Sequence, residues 1–247
     1  MDRMIYVAMT GATQAMEQQA SVANNMANVS TPGFRAQINI FRAVPVVGDE
    51  AATRAMVVAS TPRADLRSGP LMETGRALDV AIRGDGWLTV QMPDGGEAYT
   101  RAGNLQVGAD GQLMTMESRP VVGEAGLLVV PPGSSLVITS DGRVTALGAG
   151  DPAIGAAEVG RLKLVNPAST DLLRGDDGSF RMRAGAAAPL ADPKIRLQSG
   201  TLEGSNVNPV EAMVSMIANA RSFEMQMKTI QTSESNDQQA NKLLSSS

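Results

Sequence analysis

The C-terminal segment of the chain constrains its fold more than any other stretch. After Asn208-Pro209 the sequence runs to its end without another Pro or Gly. Asn208 can cap the first amide groups of a helix and Pro209 fits its first turn, so this pair predicts where a helix begins. A helix of about 35 residues is roughly 50 Å long. A helix of that length needs a partner of its own kind, because a small domain cannot cover it.

Both terminal segments carry an apolar stripe with alternating steps of three and four residues. This spacing places side chains on one side of a helix that contacts another helix. The C-terminal stripe consists of Met213, Met216, Ala220, Phe223, Met227, Ile230 and Leu244, and Glu234, Asp237 and Asn241 interrupt it before Leu244. The N-terminal stripe consists of Ile5, Met9, Ala12, Met16, Ala23 and Met26, with Gln19 among them. We predict that these stripes form subunit interfaces. An ordinary helical hairpin within one chain is the simpler alternative.

Composition excludes several classes of function. The 247 residues carry a net charge of −4, which gives no electrostatic case for binding nucleic acid. Cys and His are both absent, so disulfides, thiolate chemistry and the commonest metal ligand and general base are absent as well. No run approaches the roughly 20 apolar residues that span a bilayer, and none resembles a cleavable signal peptide. We therefore expect no cofactor, no metal, no nucleic acid and no membrane insertion.

Residues 78–200 have the pattern of a hairpin-rich antiparallel β domain. Asp-Gly recurs five times in the chain, and this dipeptide tolerates the positive φ of hairpin turns. Short alternating runs between the turns predict strands at 78–82, 87–92, 112–116, 127–130, 136–139, 143–147, 161–165, 180–183 and 195–198. We expect this domain to fold alone. Catalytic carboxylates or calcium ligands are the alternative role for these Asp residues, but each already has a function in its turn.

Three ordered segments carry a resemblance to a known family. Residues 23–34 (ANNMANVSTPGF), 74–87 (TGRALDVAIRGDGW) and 205–213 (SNVNPVEAM) resemble the signatures of the axial proteins of the bacterial flagellum, which include rod, hook and hook-associated proteins. Length and the opening residues look most like a proximal-rod member, with distal-rod members as near neighbours. The matching signature residues are Asn24, Asn25, Ala27, Asn28, Thr31, Pro32, Gly33, Phe34, Gly75, Leu78, Asp79, Gly84, Gly86, Asn206, Val207, Asn208 and Pro209.

Residues and resemblance together predict an α+β fold. Long N- and C-terminal helices form a coiled-coil-like core (1–34 and 201–247), an extended connector follows (35–77), and the β domain lies outside (78–200). The resemblance implies a non-enzymatic rod subunit of the periplasmic basal body. It polymerises with itself and other rod subunits into a torque-transmitting tube around the export channel. It also implies that the flagellar type III apparatus exports the chain without cleavage. An extracytoplasmic binding or hydrolytic β domain with a helical clasp is the alternative from a different class.

Overall fold

The computed structural model describes residues 2–45, 55–59, 63–148 and 156–245, which divide into two compact units. The first unit contains residues 2–28, the described part of 37–64, and 207–245. The second contains residues 29–36 and the described part of 65–206. Both units are discontinuous in sequence. The α+β class predicted from the sequence is confirmed. The four-segment division of the chain stays a prediction.

In the described residues, the first unit consists of two helices and two antiparallel strand pairs. Helix α1 spans Asp2–Ala27 and helix α2 spans Pro209–Ser245. Between them, β1 (Gln37–Ile38) pairs with β4 (Arg63–Ala64), and β2 (Phe41–Pro45) pairs with β3 (Ala55–Ala59), all antiparallel. The described residues of 37–64, which lie inside the predicted extended connector, thus form two antiparallel strand pairs.

The two helices pack against each other in antiparallel orientation. A Cβ placed on Gly11 would lie 2.9 Å from Cδ of Gln226, so these two positions are in contact. A parallel pair with this contact would separate the end of α1 from the start of α2 by about 50 Å at 1.5 Å per residue. Phe34 and Asn206, seven and three residues away from those ends, share a backbone hydrogen bond. Ten extended residues span only about 35 Å, so the helices run antiparallel.

The second unit is an assembly of antiparallel sheets. Its largest sheet has five strands in the order β16-β7-β8-β18-β17, and a three-stranded sheet has the order β13-β14-β15. The remaining pairs are β9 with β10, β11 with β12, β6 with β19, and β5 with β20. The strands are β5 (Leu71–Glu73), β6 (Val80–Arg83), β7 (Trp87–Gln91), β8 (Glu97–Thr100), β9 (Leu105–Val107), β10 (Leu113–Thr115), β11 (Val122–Gly123), β12 (Gly126–Leu127), β13 (Ser135–Ile138), β14 (Arg143–Leu147), β15 (Ala156–Arg161), β16 (Leu164–Val165), β17 (Leu172–Arg174), β18 (Phe180–Met182), β19 (Arg196–Ser199) and β20 (Thr201–Glu203).

Asp-Gly turns connect neighbouring strands of this unit. Four of them join paired strands: β7 to β8, β9 to β10, β13 to β14, and β17 to β18. The glycine of each has positive φ, as hairpin turns require. The fifth, Asp85-Gly86, lies between β6 and β7, which belong to different sheets. Aliphatic side chains from all parts of this unit, including the fully buried Val90, Leu105 and Leu113, form its hydrophobic core.

Candidate functional site

Inside the second unit, the first and last signature segments contact each other, and the middle one contacts residues close beside them, although about 170 residues separate Phe34 from Asn206 in sequence. The amide of Gly33 donates to the carbonyl of Glu203 at 2.8 Å, and the amide of Asn206 donates to the carbonyl of Phe34 at 3.3 Å. The amide of Thr74 donates to the carbonyl of Gly200 at 2.8 Å. We call this region, residues 31–36, 65–87, 101 and 200–206, the signature joint.

Asn206 holds three stretches of backbone together in this joint. Its side-chain oxygen accepts a hydrogen bond from the amide of Ala36 at 2.7 Å. Its side-chain nitrogen donates to the carbonyls of Asp65 and Arg67, each at 2.9 Å. One amide side chain therefore fixes the positions of the chain at residues 36, 65, 67 and 206. A hydrogen bond from the Arg67 side chain, stronger in effect than partial burial, lowers the pKa of Asp65.

A buried carboxylate between two guanidinium groups forms the centre of the joint. Nη2 of Arg35 lies 2.7 Å from Oε1 of Glu203, and Nη1 of Arg101 lies 3.0 Å from Oε2. The amide of Gly69 also donates to Oε1 at 2.9 Å. The side chains are 0%, 4% and 1% exposed for Arg35, Arg101 and Glu203. Water therefore screens none of these charges, and loss of one partner leaves an uncompensated buried charge.

The guanidinium group of Arg101 also contacts a backbone carbonyl and an aromatic ring. Nη2 of Arg101 donates to the carbonyl of Gly84 at 2.7 Å. Its Cζ lies 5.5 Å from the ring centroid of Trp87, and Cζ of Arg35 lies 5.9 Å from the same ring. Burial lowers the pKa of Arg101, and the Glu203 carboxylate partly offsets this effect. Within the described part of the chain, Nε and Nη1 of Arg35 and Nε of Arg101 are buried without a hydrogen-bond partner.

Gly33 allows the turn that ends the first signature to pack directly against the Arg101–Ala102 peptide. Its φ is +70°, a conformation that side chains with a Cβ rarely adopt. A Cβ on Gly33 would overlap the carbonyl carbon of Arg101 and the amide nitrogen of Ala102. Glycine at this position therefore satisfies two separate requirements, one of backbone conformation and one of space.

The middle signature forms a second, smaller charge cluster. Nη2 of Arg76 lies 2.6 Å from Oδ1 of Asp79, and the hydroxyl of Thr74 donates to Oδ2 at 2.7 Å. The same Arg76 nitrogen donates to the carbonyl of Leu105 at 2.9 Å, and the Asp79 carbonyl accepts from the amide of Gly200 at 2.8 Å. Asp79 is buried and its carboxylate is occupied by these contacts, so its observed role is structural.

Other signature residues act at helix ends in the first unit. Asn208 accepts hydrogen bonds from the amides of Val210 at 3.0 Å and Glu211 at 3.4 Å, which makes it the N-cap of α2. The side chain of Asn25 makes two hydrogen bonds with the backbone of Gln37. Its oxygen accepts from the Gln37 amide at 2.7 Å, and its nitrogen donates to the Gln37 carbonyl at 2.9 Å. Asn28 donates to the carbonyl of Asn24 at 2.9 Å.

The remaining signature residues have mainly conformational roles. Gly75, Gly84 and Gly86 adopt positive φ, and Leu78 packs partly buried against the hydrophobic core. Ala27 is the last residue of α1, and Pro209 is the first of α2. Thr31, Pro32 and Val207 lie in the segments that leave α1 and enter α2.

The predicted stripe residues lie on two different sides of the helical hairpin. Ala12 is buried, and Ile5, Met26, Met216, Phe223 and Ile230 are half-buried. Met9, Met16, Ala23, Met213, Ala220 and Met227 are exposed. Leu244 lies in the last turn of α2, and its side chain is outside the described residues. The structure thus places part of each stripe inside the hairpin and part on its outer surface. Their role between subunits stays a prediction.

The inner face of the hairpin is built from small and polar side chains. Ala8, Ala12 and Ala15 of α1 are buried, as are Asn219 and Ser233 of α2. Many large apolar side chains lie on the outside, although an amphipathic helix usually turns them towards its partner. The exposed ones on the two helices are Tyr6, Val7, Met9, Met16, Val210, Met213, Val214, Ile217, Met225 and Met227.

Chemistry-bearing groups are sparse in the described part of the chain. No group of three or more Asp or Glu residues there could hold a metal ion. No helix in the same part is long and apolar enough to cross a membrane. The second unit has a cleft of about 620 Å³, lined by residues that include Glu124, Arg161 and Lys163. Another cleft, of about 350 Å³, contains Glu97 and Tyr99 in its wall.

Sequence reasoning missed the buried ionic centre of the joint. Arg35 directly follows the first signature, and Glu203 lies two residues before the last. Arg101 belongs to none of the three signatures. The available signal was position: both Arg35 and Glu203 adjoin segments of the family resemblance. Burial of Arg35 or Glu203 is favourable only when the two are paired, and the sequence alone does not indicate that they are.

These features define a class of structural protein, with paired terminal helices and a β-rich unit held by a buried ionic joint. Three family models match the chain. They are described as "Flagella basal body rod protein" (residues 5–35), "Flagellar hook protein FlgE/F/G D1 domain" (residues 81–146) and "Flagellar basal body rod FlgEFG protein C-terminal" (residues 198–243).

Full-length relatives agree with these matches. The chain is 56% identical to the flagellar basal-body rod protein FlgF of Salmonella typhimurium and 54% identical to that of Escherichia coli, with 100% of each chain covered. It is 30% identical to the rod protein FlgG of Agrobacterium fabrum, over 94% of this chain and 95% of the relative. The chain therefore belongs to the flagellar basal-body rod protein family, in its FlgF group. It is a structural protein of the flagellum, and its relatives bear the names of rod components.

Proposed function

We propose that this chain is a proximal-rod subunit that polymerises through its terminal helices, with itself and with other rod subunits. The polymer is a tubular shaft in the periplasm that transmits torque and encloses the export channel. The flagellar type III apparatus delivers the chain through that channel without cleavage. The full-length similarity to FlgF proteins supports the proximal position.

One observation carries this proposal: the helical hairpin exposes many of its large apolar side chains. Val210, Met213, Val214 and Ile217 follow a spacing of three and four residues, so they form one stripe along the first turns of α2. Their exposed fractions are 68%, 50%, 61% and 57%. Exposed apolar surface of this kind marks an interaction site in a soluble protein. We call these four residues the outer stripe.

A heterologous contact through the outer stripe generates a filament. We infer that the outer stripe meets a different surface on a neighbour, because a stripe that paired with its own copy would close a dimer instead of extending a polymer. Such a head-to-tail contact, repeated without closing a ring, produces a helical polymer.

The experiment compares two double substitutions in the outer stripe. Met213→Ser with Ile217→Ser removes apolar area that contributes about 1.5–3 kcal/mol per side chain when fully buried. We expect loss of motility and loss of the protein from isolated basal bodies, with unchanged helicity of the purified chain. Met213→Leu with Ile217→Leu keeps the apolar area and should assemble normally. Normal amounts of the Ser variant in isolated rods would overturn the proposal.

A further inference from the structure

Two amide side chains of the helical hairpin each have one buried polar atom without a hydrogen-bond partner, and one of these atoms is an acceptor and the other a donor. Oε1 of Gln19, an acceptor, and Nδ2 of Asn219, a donor, are each buried without a hydrogen bond. A buried polar atom without a partner is costly, and natural structures rarely leave one unsatisfied. One helix lacks a donor and the other lacks an acceptor.

The register of the hairpin places these two side chains at the same level. Gln226 lies over Gly11, which sets the pairing of the antiparallel helices. Gln19 is eight residues after Gly11, and Asn219 is seven residues before Gln226. The difference of one residue is only about 1.5 Å along the axis. Both also lie on the inner face, because Gln19 follows Ala8, Ala12 and Ala15 at helical spacing and Asn219 is 8% exposed.

We propose that Gln19 and Asn219 form an amide pair joined by one bridging water molecule, and that this pair determines the register of the terminal hairpin. This pair acts within one chain, so it does not depend on the polymerisation proposed above. A buried polar contact between two helices is a known device for fixing register, since a shift leaves a polar group buried and unpaired.

The rest of the inner face specifies register weakly. Alanine side chains at 8, 12 and 15 present nearly identical surfaces when the helices shift by a heptad. After such a shift, however, Asn219 faces Ala12 or Met26, neither of which has a polar side chain. Gln226 also loses its contact with Gly11 after such a shift. In the observed register, a Cβ on residue 11 would come within 2.9–3.2 Å of the Gln226 amide group, so glycine leaves room for this contact. Of the three registers, only the observed one places Gln19 and Asn219 at the same level.

The chain contains no Cys, so introduced cysteine pairs report register without background. Ala15→Cys is combined in turn with Met216→Cys, Phe223→Cys and Ile230→Cys, three half-buried positions that are seven residues apart on α2. By the observed pairing, residue 223 lies within one residue of the level of residue 15, and residues 216 and 230 report shifts of one heptad. Each pair is oxidised both in the purified chain and in isolated basal bodies.

In the native sequence we expect the 15–223 disulfide to exceed the two others by at least about tenfold, the discrimination that one unsatisfied buried amide implies. Gln19→Leu or Asn219→Leu alone should lower the unfolding midpoint, because each leaves the other amide unpaired. The double variant should recover the midpoint but form all three disulfides in comparable amounts. Gln18→Leu, an exposed amide next to Gln19, serves as the matched control and should preserve the 15–223 preference.

Two results would overturn the proposal. One is a double variant whose destabilisation equals the sum of the single variants and which still forms only the 15–223 disulfide. The other is absence of any preference for the 15–223 disulfide in the native sequence, both in the purified chain and in basal bodies. Failure of the outer-stripe experiment alone would leave the register result intact, because the disulfides form within one chain.

Discussion

At the scale of single residues, Glu203 has the most demanding position in the chain. Its carboxylate accepts hydrogen bonds from Arg35, Arg101 and the amide of Gly69, and its side chain is 1% exposed. The two guanidinium groups repel each other across this carboxylate, and repulsion by Arg35 contributes to the lowered pKa of Arg101. The carboxylate is therefore the group that keeps two cations together in the interior.

Glu203→Gln should destabilise the second unit by about 3 kcal/mol or more, because it leaves two buried cations without their counter-charge. Trp87 is the single Trp of the sequence and lies over both guanidinium groups, so denaturant unfolding followed by its fluorescence measures this change. Glu73→Gln is the matched control. Glu73 is exposed on β5, which pairs with the strand that carries Glu203, and its loss should cost less than about 0.5 kcal/mol. Equal effects of the two substitutions would contradict the argument.

A comparison of substitutions at Gly33 and Gly75 separates the energetic cost of an unfavourable φ from the cost of steric overlap. Their φ angles are +70° and +71°, but a Cβ on Gly75 meets nothing within 4 Å, whereas a Cβ on Gly33 overlaps the Arg101–Ala102 peptide. Gly75→Ala should cost about 1 kcal/mol from the φ angle alone. Gly33→Ala should cost about 1–3 kcal/mol more, because the joint must open. Unfolding midpoints of the two variants test this difference, and similar midpoints would show that the joint tolerates the methyl group.

Tyr99 makes the second unit sensitive to alkaline pH. Burial, helped by the charge of Glu97 and a hydrogen bond to it, raises the pKa of Tyr99 to about 12 from the model-compound value of 10.0. A raised pKa contributes stability that is fully present below pH 10 and is lost as the pH rises towards 12. Tyr99→Phe should remove this loss over that pH range. Tyr6→Phe should not, and because the chain has two Tyr, it also leaves Tyr99 as the sole source of tyrosinate absorbance. A normal tyrosinate titration in that variant would count against the burial argument.

At the scale of elements, α2 depends on its first residues as well as on its packing. Asn208 caps the helix, Pro209 occupies its first position, and Glu211 places a negative charge in its first turn. These three residues favour a helix start at one defined position. Beyond that point, the inner face contacts α1 and the outer stripe remains free in the isolated chain.

Asn208→Ala should destabilise the first unit by about 1 kcal/mol, because two amide groups lose their acceptor. Thermal unfolding followed by helical circular dichroism measures it. Asn208→Ser, which can still accept these hydrogen bonds, should restore most of the loss. Asn236→Ala changes an exposed Asn within the same helix and should be neutral or slightly stabilising, since Ala has the higher helix propensity. An effect of Asn236→Ala as large as that of Asn208→Ala would exclude capping as the cause.

At the scale of the whole molecule, the second unit is not a continuous stretch of chain. It contains residues 29–36 in addition to the described part of 65–206, and Arg35 and Glu203 both lie outside the predicted β domain of 78–200. A fragment limited to 78–200 therefore retains Arg101 without its carboxylate partner. It also lacks β5 and β20.

Fragment 29–206 should unfold cooperatively with the midpoint of the second unit in the full chain. Fragment 65–206, which lacks Arg35 and Gly33, should be less stable, and fragment 78–200 should be the least stable of the three. Denaturant unfolding followed by Trp87 fluorescence ranks them. A 78–200 fragment as stable as 29–206 would show that the signature joint contributes nothing to the stability of this unit.

The sequence by itself determined the elements whose information is local. Asn208-Pro209 predicted the start of α2, and the Asp-Gly turns joined the paired strands on either side of them. Strands with one covered face, such as β13 and β14, were predicted close to their bounds because their side chains alternate. Strand β8 was not, because Ala98 and Tyr99 are buried side by side and the alternating pattern is absent.

Tertiary structure alone decided which charges are buried and which apolar residues stay outside. Arg35, Arg101 and Glu203 become an interior cluster only because three distant segments meet, and each is an ordinary surface residue by its own sequence context. The heptad pattern likewise indicated that α1 and α2 contact other helices. It did not indicate that Ala8, Ala12 and Ala15 face inward while Met9 and Met16 face outward. The physical reason is that a pattern along one helix ranks residues by hydrophobicity, whereas the closest approach of two helices selects the smallest side chains.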